Sequence, residues 1–222
     1  MFRNSSASKI KLTDVDSLFG NSDAIKDIDS SKEEIIEVPL TDLHEFDGHP
    51  FKVIDDEKME ETVESIKKYG VIVPGIVRPR IKGGYEIVSG HRRKRASELA
   101  GLETMPVFVR NLSNDEATIV MVDSNLQREE ILPSEKAKAY AMKYEALKHQ
   151  GVAGDGISLD NMSDGTGDSR SKIQRYIWIS RLNDDFLELL DTKKLGLSQA
   201  VDLSFLPAEE QEILYDVIWE LN

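Results

Sequence analysis

The sequence predicts an α+β chain, in which a small mixed α/β domain is followed by an all-helical domain built on a helix-turn-helix. Three observations carry this expectation. Between about residues 35 and 130, short alternating apolar runs and helix-period runs follow one another in the order β, α, β, β, α, β, α. After Pro133 the alternation stops and helix-period segments take over. Among these, the turn Asp164-Gly165-Thr166-Gly167 separates two short helices.

With 222 residues, 40% of them hydrophobic and 31% charged, the chain can bury a core and is expected to hold two domains and a tail. It contains no cysteine, which excludes disulfides and thiolate metal sites, and four scattered histidines (His44, His49, His91, His149) show no ligand spacing. No apolar run approaches a membrane span and the N-terminus lacks a signal-peptide core. A soluble, cytoplasmic protein with no membrane partner is expected. The net charge of −13 argues against nucleic acid only as an average. Residues 183–222 carry ten acids against Lys193 and Lys194, a net −8, whereas Ser169 to Leu182 carries Arg170, Lys172, Arg175 and Arg181 with no acid.

Residues 1–34 are polar and aperiodic and read as a mostly disordered tail. The apolar cluster Val15-Asp16-Ser17-Leu18-Phe19-Gly20 within it is either a motif that folds on a partner or, more simply, a greasy patch. Ile35 to Leu40 alternates as a strand. Asp55 to Tyr69 is an amphipathic helix with Met59, Val63 and Ile66 on one face and Gly70 at its end. Ile76-Val77-Arg78 is a strand, and Gly83-Gly84 turns the chain into the next strand, Tyr85 to Val88. Met105 to Val109 is another strand, and Ser113 or Asn114 caps a helix to about Ser124.

Between two of these elements lies Gly90-His91-Arg92-Arg93-Lys94-Arg95-Ala96, a glycine after a strand and then a helix that opens with arginines. This is a way to build an anion pocket. Glycine lets the backbone approach closely, the free amides of the first turn point outward, and guanidiniums add charge and forked donors. Taken alone, the heptad fits a basic surface turn about as well.

In the second domain, Ser134 is expected to cap a helix that ends at Gly151, followed by a loop over Val152 to Gly156. Ile157 to Ser163 is the first helix of the helix-turn-helix; Asp168 or Ser169 caps the second, Arg170 to Leu182, with Ile173, Ile177 and Leu182 inward. Ser169, Arg170, Lys172, Gln174 and Arg175 lie at its start, where a recognition helix meets base edges, and arginine and glutamine can form two-pronged bonds to guanine and adenine. The plainer reading is a solvated helix face. Tyr176 and Trp178 are expected in the core. Asp184 to Leu190, Leu195 to Phe205 and Pro207 to Leu221 complete the helices, the last with Ile213, Leu214, Val217, Ile218 and Trp219 as an apolar face.

Three stretches carry a resemblance. Ser65 to Arg78, containing Tyr69-Gly70-Val71-Ile72-Val73-Pro74-Gly75-Ile76-Val77-Arg78, is similar to the first box of the ParB partition-protein family, nucleoid-occlusion members included. Gly90 to Ala96 resembles its G-E-R-R-x-R-A box, and Asn125-Leu126-Gln127-Arg128-Glu129-Glu130-Ile131-Leu132-Pro133 its E-N-L-Q-R-E-x-L-x-P box. The helix-turn-helix of that family also carries a serine-arginine pair where Ser169-Arg170 stands.

The resemblance implies a CTP-binding domain over residues 35–132 and a helix-turn-helix domain over 133–206, while the C-terminal amphipathic helix over 207–222 is read from its own apolar periodicity. It implies Gly90, Arg92 and Arg93 as phosphate contacts, His91 and Arg78 near the nucleotide, and Asn125 holding Mg²⁺ beside it. Ser169, Arg170, Lys172, Gln174 and Arg175 would meet double-stranded DNA at an inverted repeat. It further implies a homodimer acting as a sliding clamp, found on nucleoid or plasmid, and a ParA-type ATPase as partner of the Leu18-Phe19 segment. The family usually adds a C-terminal dimerisation domain, for which no room is seen before residue 222, so the last helix pairs subunits, the nucleotide domain does so, or the chain is a piece of a longer one.

Three positions depart from the boxes: His91 replaces an acid, Val73 a glutamine and Ser124 a glutamate. Valine cannot position water or metal, and serine replaces a carboxylate poorly. Nucleotide binding is therefore expected ahead of turnover, with a weak CTPase left open and no catalytic residue assigned. Two other functions compete: a nucleotide-insensitive transcriptional repressor with a degenerate first domain, and an ATP-dependent enzyme, which the missing cysteine and the helix-turn-helix weaken.

Overall fold

The computed structural model describes residues 34–128, 130–151 and 155–220. The tail expected over residues 1–34, with its Val15 to Gly20 cluster, lies outside the described residues except for Glu34. Strands β1 (Ile35–Pro39), β2 (Leu43–His44), β3 (Gly75–Pro79), β4 (Tyr85–Ser89) and β5 (Thr104–Val109) form one mixed sheet in the order β1-β5-β3-β4-β2. β1 runs antiparallel to β5 and β3 to β4, whereas β3 is parallel to β5 and β2 to β4. The two-residue β2 was not expected; it is too short for a period of two to register.

The alternation along β3 and β4 assigns each face its partner. Val77 and Ile87 point into a cluster with Val38, Leu43, Met105 and Val107, while Ile76 and Val88 point into one with Phe46, Phe51, Ala117, Met121 and Val122. Helix α1 (Glu57–Tyr69) packs on α2 (His91–Ala100) through Met59, Ile66 and Ala96, and Val71 joins that pair to the first sheet cluster. Asp56 caps α1 by accepting from Met59 N at 2.8 Å. Helix α3 (Asn114–Leu126) starts with a reciprocal capping box between Ser113 and Glu116.

The remaining helices are α4 (Pro133–His149), α5 (Asp155–Thr166), α6 (Arg170–Ile179), α7 (Asp184–Asp191), α8 (Leu197–Leu203) and α9 (Ala208–Glu220). Their core gathers Tyr140, Leu159, Met162, Ile173, Ile177, Ile179, Phe186 and Leu190. Helix α4 serves both halves: Ala139 packs under the sheet, Ala137 and Tyr140 in the helical core. Tyr176 is buried as expected, and Trp178 is half-buried with its ring 5.3 Å from that of Phe205.

Several boundaries differ from expectation. Ser134 does not cap α4. Pro133 occupies the first helical position, where its missing N–H costs nothing, and Ser134 instead bonds Asp191 through both its amide and its hydroxyl. Asp155 and Gly156, expected in a loop, already belong to α5. The same helix continues through the expected turn to Thr166, whose hydroxyl donates to Met162 O at 2.9 Å. The turn itself is Gly167-Asp168-Ser169, with Gly167 at φ 70°. Helix α6 stops at Ile179, and in α9 Ile213 and Val217 are exposed while Leu214 and Ile218 pack inward.

Candidate functional site

Gly90 sits at φ 117° between β4 and α2, a conformation open to glycine and strained for other residues. A Cβ there would lie 3.2 Å from Gly75 Cα and 3.3 Å from the Arg93 guanidinium. The close approach of β3 to this turn thus requires a bare backbone. The first amides of α2 have no partner within the helix and face the space in front of it, as an anion site needs.

That space is a cleft of about 130 Å³, lined by Gly90, His91, Arg92 and Arg93 from α2, Ser124 and Asn125 from α3, and His49, Val53, Ser89 and Arg128. The structure therefore brings together Gly90, His91, Arg92, Arg93 and Asn125, drawn from two separate sequence boxes. Clefts that enclose a whole small ligand are usually about 300–1,000 Å³. This cleft is smaller than that range.

The two arginines are held differently. Arg92 Nη2 is 2.9 Å from Asp56 Oδ1, so the carboxylate that caps α1 also engages the guanidinium. This contact holds the Asp56 carboxyl below its usual range. Among the described residues Arg93 pairs with no acid; its Nη1 donates to the carbonyls of Val73 and Pro74 at 2.7 and 2.6 Å. Burial lowers the Arg93 pKa.

Arg78 is not among the residues lining this cleft. Its guanidinium is bound to Glu86 at 2.5 Å and to Asn114 Oδ1 at 2.8 Å, towards the far end of the β3–β4 pair. A strand neighbour of opposite charge captures it, which box position alone does not reveal.

His91 is 9% exposed and its ring lies 3.8 Å from that of His49, tilted by 36°. Nε2 of each ring is buried with no hydrogen-bond partner. Burial, then the nearby His49, Lys94 and Arg93, push the His91 pKa down to about 3. Burial also lowers His49. Both imidazoles are thus neutral at physiological pH. His49 and Arg128 were not singled out from the sequence: His49 comes from a loop that carries no local pattern, and Arg128 was read only as part of a box.

Magnesium takes hard oxygen ligands. The cleft offers the Asn125 amide oxygen and the Ser124 hydroxyl, and Ser124 Oγ already donates to Met121 O at 3.0 Å. Asn125 Nδ2 donates to the same carbonyl at 2.8 Å, which turns Oδ1 away from it. Asp123, next in the chain, is bonded by the buried Lys143 at 2.5 Å. Among the described residues no group of three His, Asp or Glu side chains is placed to hold a metal ion. This donor set does not fit an ion held by the protein alone; an ion carried on phosphates would find Asn125 as its protein oxygen.

In the helix-turn-helix, Ser169 caps α6 by accepting from Lys172 N. Arg170 and Arg175 are exposed, Arg170 with Asp160 3.6 Å away. Lys172 is bound to Asp168 at 2.7 Å, so an acid just before the basic segment partly neutralises it. Asp168 is itself buried and accepts from Tyr140 Oη at 2.7 Å and from Lys136 Nζ at 2.5 Å. Burial would raise its pKa, but these three donors outweigh burial and hold it at about 2. Gln174 is half-buried and lines a second cleft, of about 320 Å³, with Tyr144 and Glu145 of α4. Of the five residues expected at DNA, Ser169, Arg170, Lys172 and Arg175 are exposed and Gln174 leans on α4.

Among the described residues, no helix is long and apolar enough to cross a membrane. The family model described as ParB N-terminal domain matches residues 25–126. Stage 0 sporulation protein J of Bacillus subtilis is 35% identical over 170 residues, covering 77% of this chain and 57% of that protein. The chain thus spans little more than half the length of that relative. The nucleoid occlusion protein of Listeria monocytogenes is 30% identical over 202 residues, covering 88% of this chain and 68% of its own. Among solved structures, the C-terminally truncated chromosome-partitioning protein ParB from Caulobacter crescentus, complexed to the centromeric parS site, aligns with a TM-score of 0.52 at 26% identity, over 83% of this chain and 91% of that one. With its three boxes, its mixed sheet and these relatives, the chain belongs to the ParB family of partition proteins, which includes the nucleoid-occlusion proteins.

Proposed function

We propose that this chain is a CTP-responsive, sequence-specific DNA-binding protein of the partition type, which loads at an inverted-repeat, centromere-like site and slides as a clamp on chromosome, plasmid or mobile element. One observation carries the reading. The Gly90 turn, Arg92, Arg93, Arg128 and Asn125 converge on one cleft, in a chain whose helix-turn-helix leaves Arg170 and Arg175 exposed. Guanidiniums and free helix amides suit a triphosphate. Exposed arginines at the start of α6 suit phosphates and guanine edges. The parS complex of the Caulobacter relative supports the DNA half; CTP, as the ligand of this cleft, follows from the resemblance of the boxes.

In this reading residues 35–132 hold the nucleotide and 133–206 the DNA, with α4 between them. Gly90, His91, Arg92 and Arg93 take the phosphates, and Mg²⁺ arrives with the nucleotide, Asn125 being its protein contact. A twofold site calls for a homodimer. To receive phosphate, Arg92 exchanges the Asp56 carboxylate for it. Turnover is not assigned, because Val73 and Ser124 offer no carboxylate or amide to position water.

Calorimetry with CTP, ATP, GTP and UTP, repeated on Arg93→Ala, tests the first half. CTP binding that Arg93→Ala abolishes supports it; no binding of any of the four overturns it. A second reading, a nucleotide-insensitive repressor, is favoured by the Arg92–Asp56 pair, which already satisfies one phosphate ligand. Operator affinity unchanged by saturating CTP decides for the repressor.

A further inference from the structure

We propose that Asp168 and Asp160 mask the cations at the start of α6: by holding Lys172 and Arg170 they weaken the grip on any phosphate backbone, and so make binding depend on base sequence. The inference rests on the DNA reading of α6 and goes beyond it by giving two acids a specificity-determining role.

Both cations in the first turn of α6 face an acid that lies outside the helix. Lys172 Nζ is 2.7 Å from Asp168 Oδ1, while Oδ2 of the same carboxylate is held by Lys136 Nζ at 2.5 Å and by Tyr140 Oη at 2.7 Å. Asp168 is buried, so α4 fixes it in place, and its carboxyl stays ionised well below neutral pH. Lys172, by contrast, has a side chain that is 47% exposed and is free to reach outward if released. Arg170 Nη1 is 3.6 Å from Asp160 Oδ1 on α5, with both side chains open to solvent. Arg175, on the second turn, is exposed and pairs with no acid among the described residues.

Every duplex offers the same phosphates whatever its sequence, so each lysine or arginine that neutralises one adds sequence-blind affinity and a counterion released. A cation already paired gains little by exchanging its carboxylate for a phosphate, and the carboxylate left behind repels that phosphate. Base edges reward the forked donors of arginine at matched positions alone. The two acids therefore subtract more from binding to random DNA than from binding to the correct site, and specificity is that difference. The buried, triply held Asp168 is the stronger mask; the exposed Asp160 pair is the weaker. Asp168 also ties α4 to α6, but a purely structural tie would change stability and not the number of phosphates engaged.

The test is fluorescence anisotropy over a salt series, without nucleotide. It compares a duplex carrying the parS site of the Caulobacter relative with a scrambled duplex of equal length. The proteins are wild type, Asp168→Asn, Asp160→Asn, Asp168→Asn with Lys172→Ala, and Glu212→Gln. Asparagine at 168 keeps an oxygen for the Tyr140 hydroxyl. Asp168→Asn should bind the scrambled duplex roughly three- to tenfold tighter than wild type, steepen its salt slope by about one and narrow the preference for parS. Adding Lys172→Ala should return that slope towards the wild-type value. Asp160→Asn should tighten scrambled binding by about twofold; its side chain is exposed, so this arm does not depend on the folding of Asp168→Asn. Glu212→Gln removes the same charge from α9 and should leave the slope unchanged. Scrambled-duplex affinity and slope that stay at wild-type values in whichever of Asp168→Asn and Asp160→Asn folds, or that rise equally in Glu212→Gln, overturn the inference and leave the DNA reading standing. A steeper slope that survives Lys172→Ala overturns it as well. Wild type that binds neither duplex, or both alike, overturns the sequence-specific DNA reading and the inference with it.

Discussion

The guanidinium of Arg93 ties down the backbone of Val73: Nη1 donates to its carbonyl oxygen at 2.7 Å, and to that of Pro74 at 2.6 Å. Two boxes that lie apart in the sequence are thus one physical unit, with the same guanidinium bracing a loop and facing a cleft. Arg93→Ala should therefore cost stability as well as nucleotide affinity, by about 1.5–3 kcal/mol for lost bonds to a charged donor. Urea unfolding without ligand reads the first effect. A variant as stable as wild type would show that the loop does not depend on this residue.

Gly90→Ala attacks the same junction from the backbone. A φ of 117° and a Cβ only 3.2 Å from Gly75 Cα leave no relaxed position for a methyl group. A loss of about 1–3 kcal/mol is expected, with nucleotide binding lost in the fraction that still folds.

His91 should make the fold acid-sensitive. Its folded pKa of about 3 lies below the ordinary 6.5, so the unfolded chain binds the proton more readily than the folded one. The stability associated with neutral His91 is fully present above about pH 6.5 and falls as the pH drops towards 3. Melting temperatures across this range should decline, and His91→Gln should flatten the slope.

Asp168 acts lower on the pH scale and through a different core. Held at about 2 by Lys136, Lys172 and Tyr140, it contributes stability above its usual pKa of 3.8 that is lost as pH falls towards 2. Asp168→Ala leaves the buried Tyr140 hydroxyl and two lysines without their acceptor and should cost about 3–5 kcal/mol. Denaturant midpoints at neutral pH measure this.

Arg175 is exposed on the second turn of α6. If it meets a phosphate, Arg175→Ala should weaken all sequences alike and reduce the salt slope of DNA binding by about one; if it meets a base, it should relax specificity at one position. Fluorescence anisotropy over a salt series, on operator and on scrambled DNA, separates the two.

Much of the fold was legible because it rests on local rules. Met59, Val63 and Ile66 announced α1, the alternation of Tyr85 to Val88 announced β4, and Ser113 and Ser169 cap helices where short polar side chains belong. Misplaced boundaries lie where distant residues intervene. Ser134 has the chemistry of a cap but is taken by Asp191, 57 residues away. Asp164 to Gly167 has the composition of a turn but stays helical as far as Thr166, next to Met162 in the buried core. The same limit applied to the site: Arg78 belongs to the first box, yet Glu86 on the adjacent strand holds it.

The amino-acid order alone determined where most of the helices and strands form, β2 excepted, and which glycine and arginines stand at the mouth of α2, because periodicity, caps and chirality act over a few residues. Only the tertiary structure decided that His49 would meet His91, that Asp56 would engage Arg92 and that Arg128 would share their cleft. Those pairings depend on where the folded sheet and helices place groups far apart along the chain, and no local pattern encodes such distances.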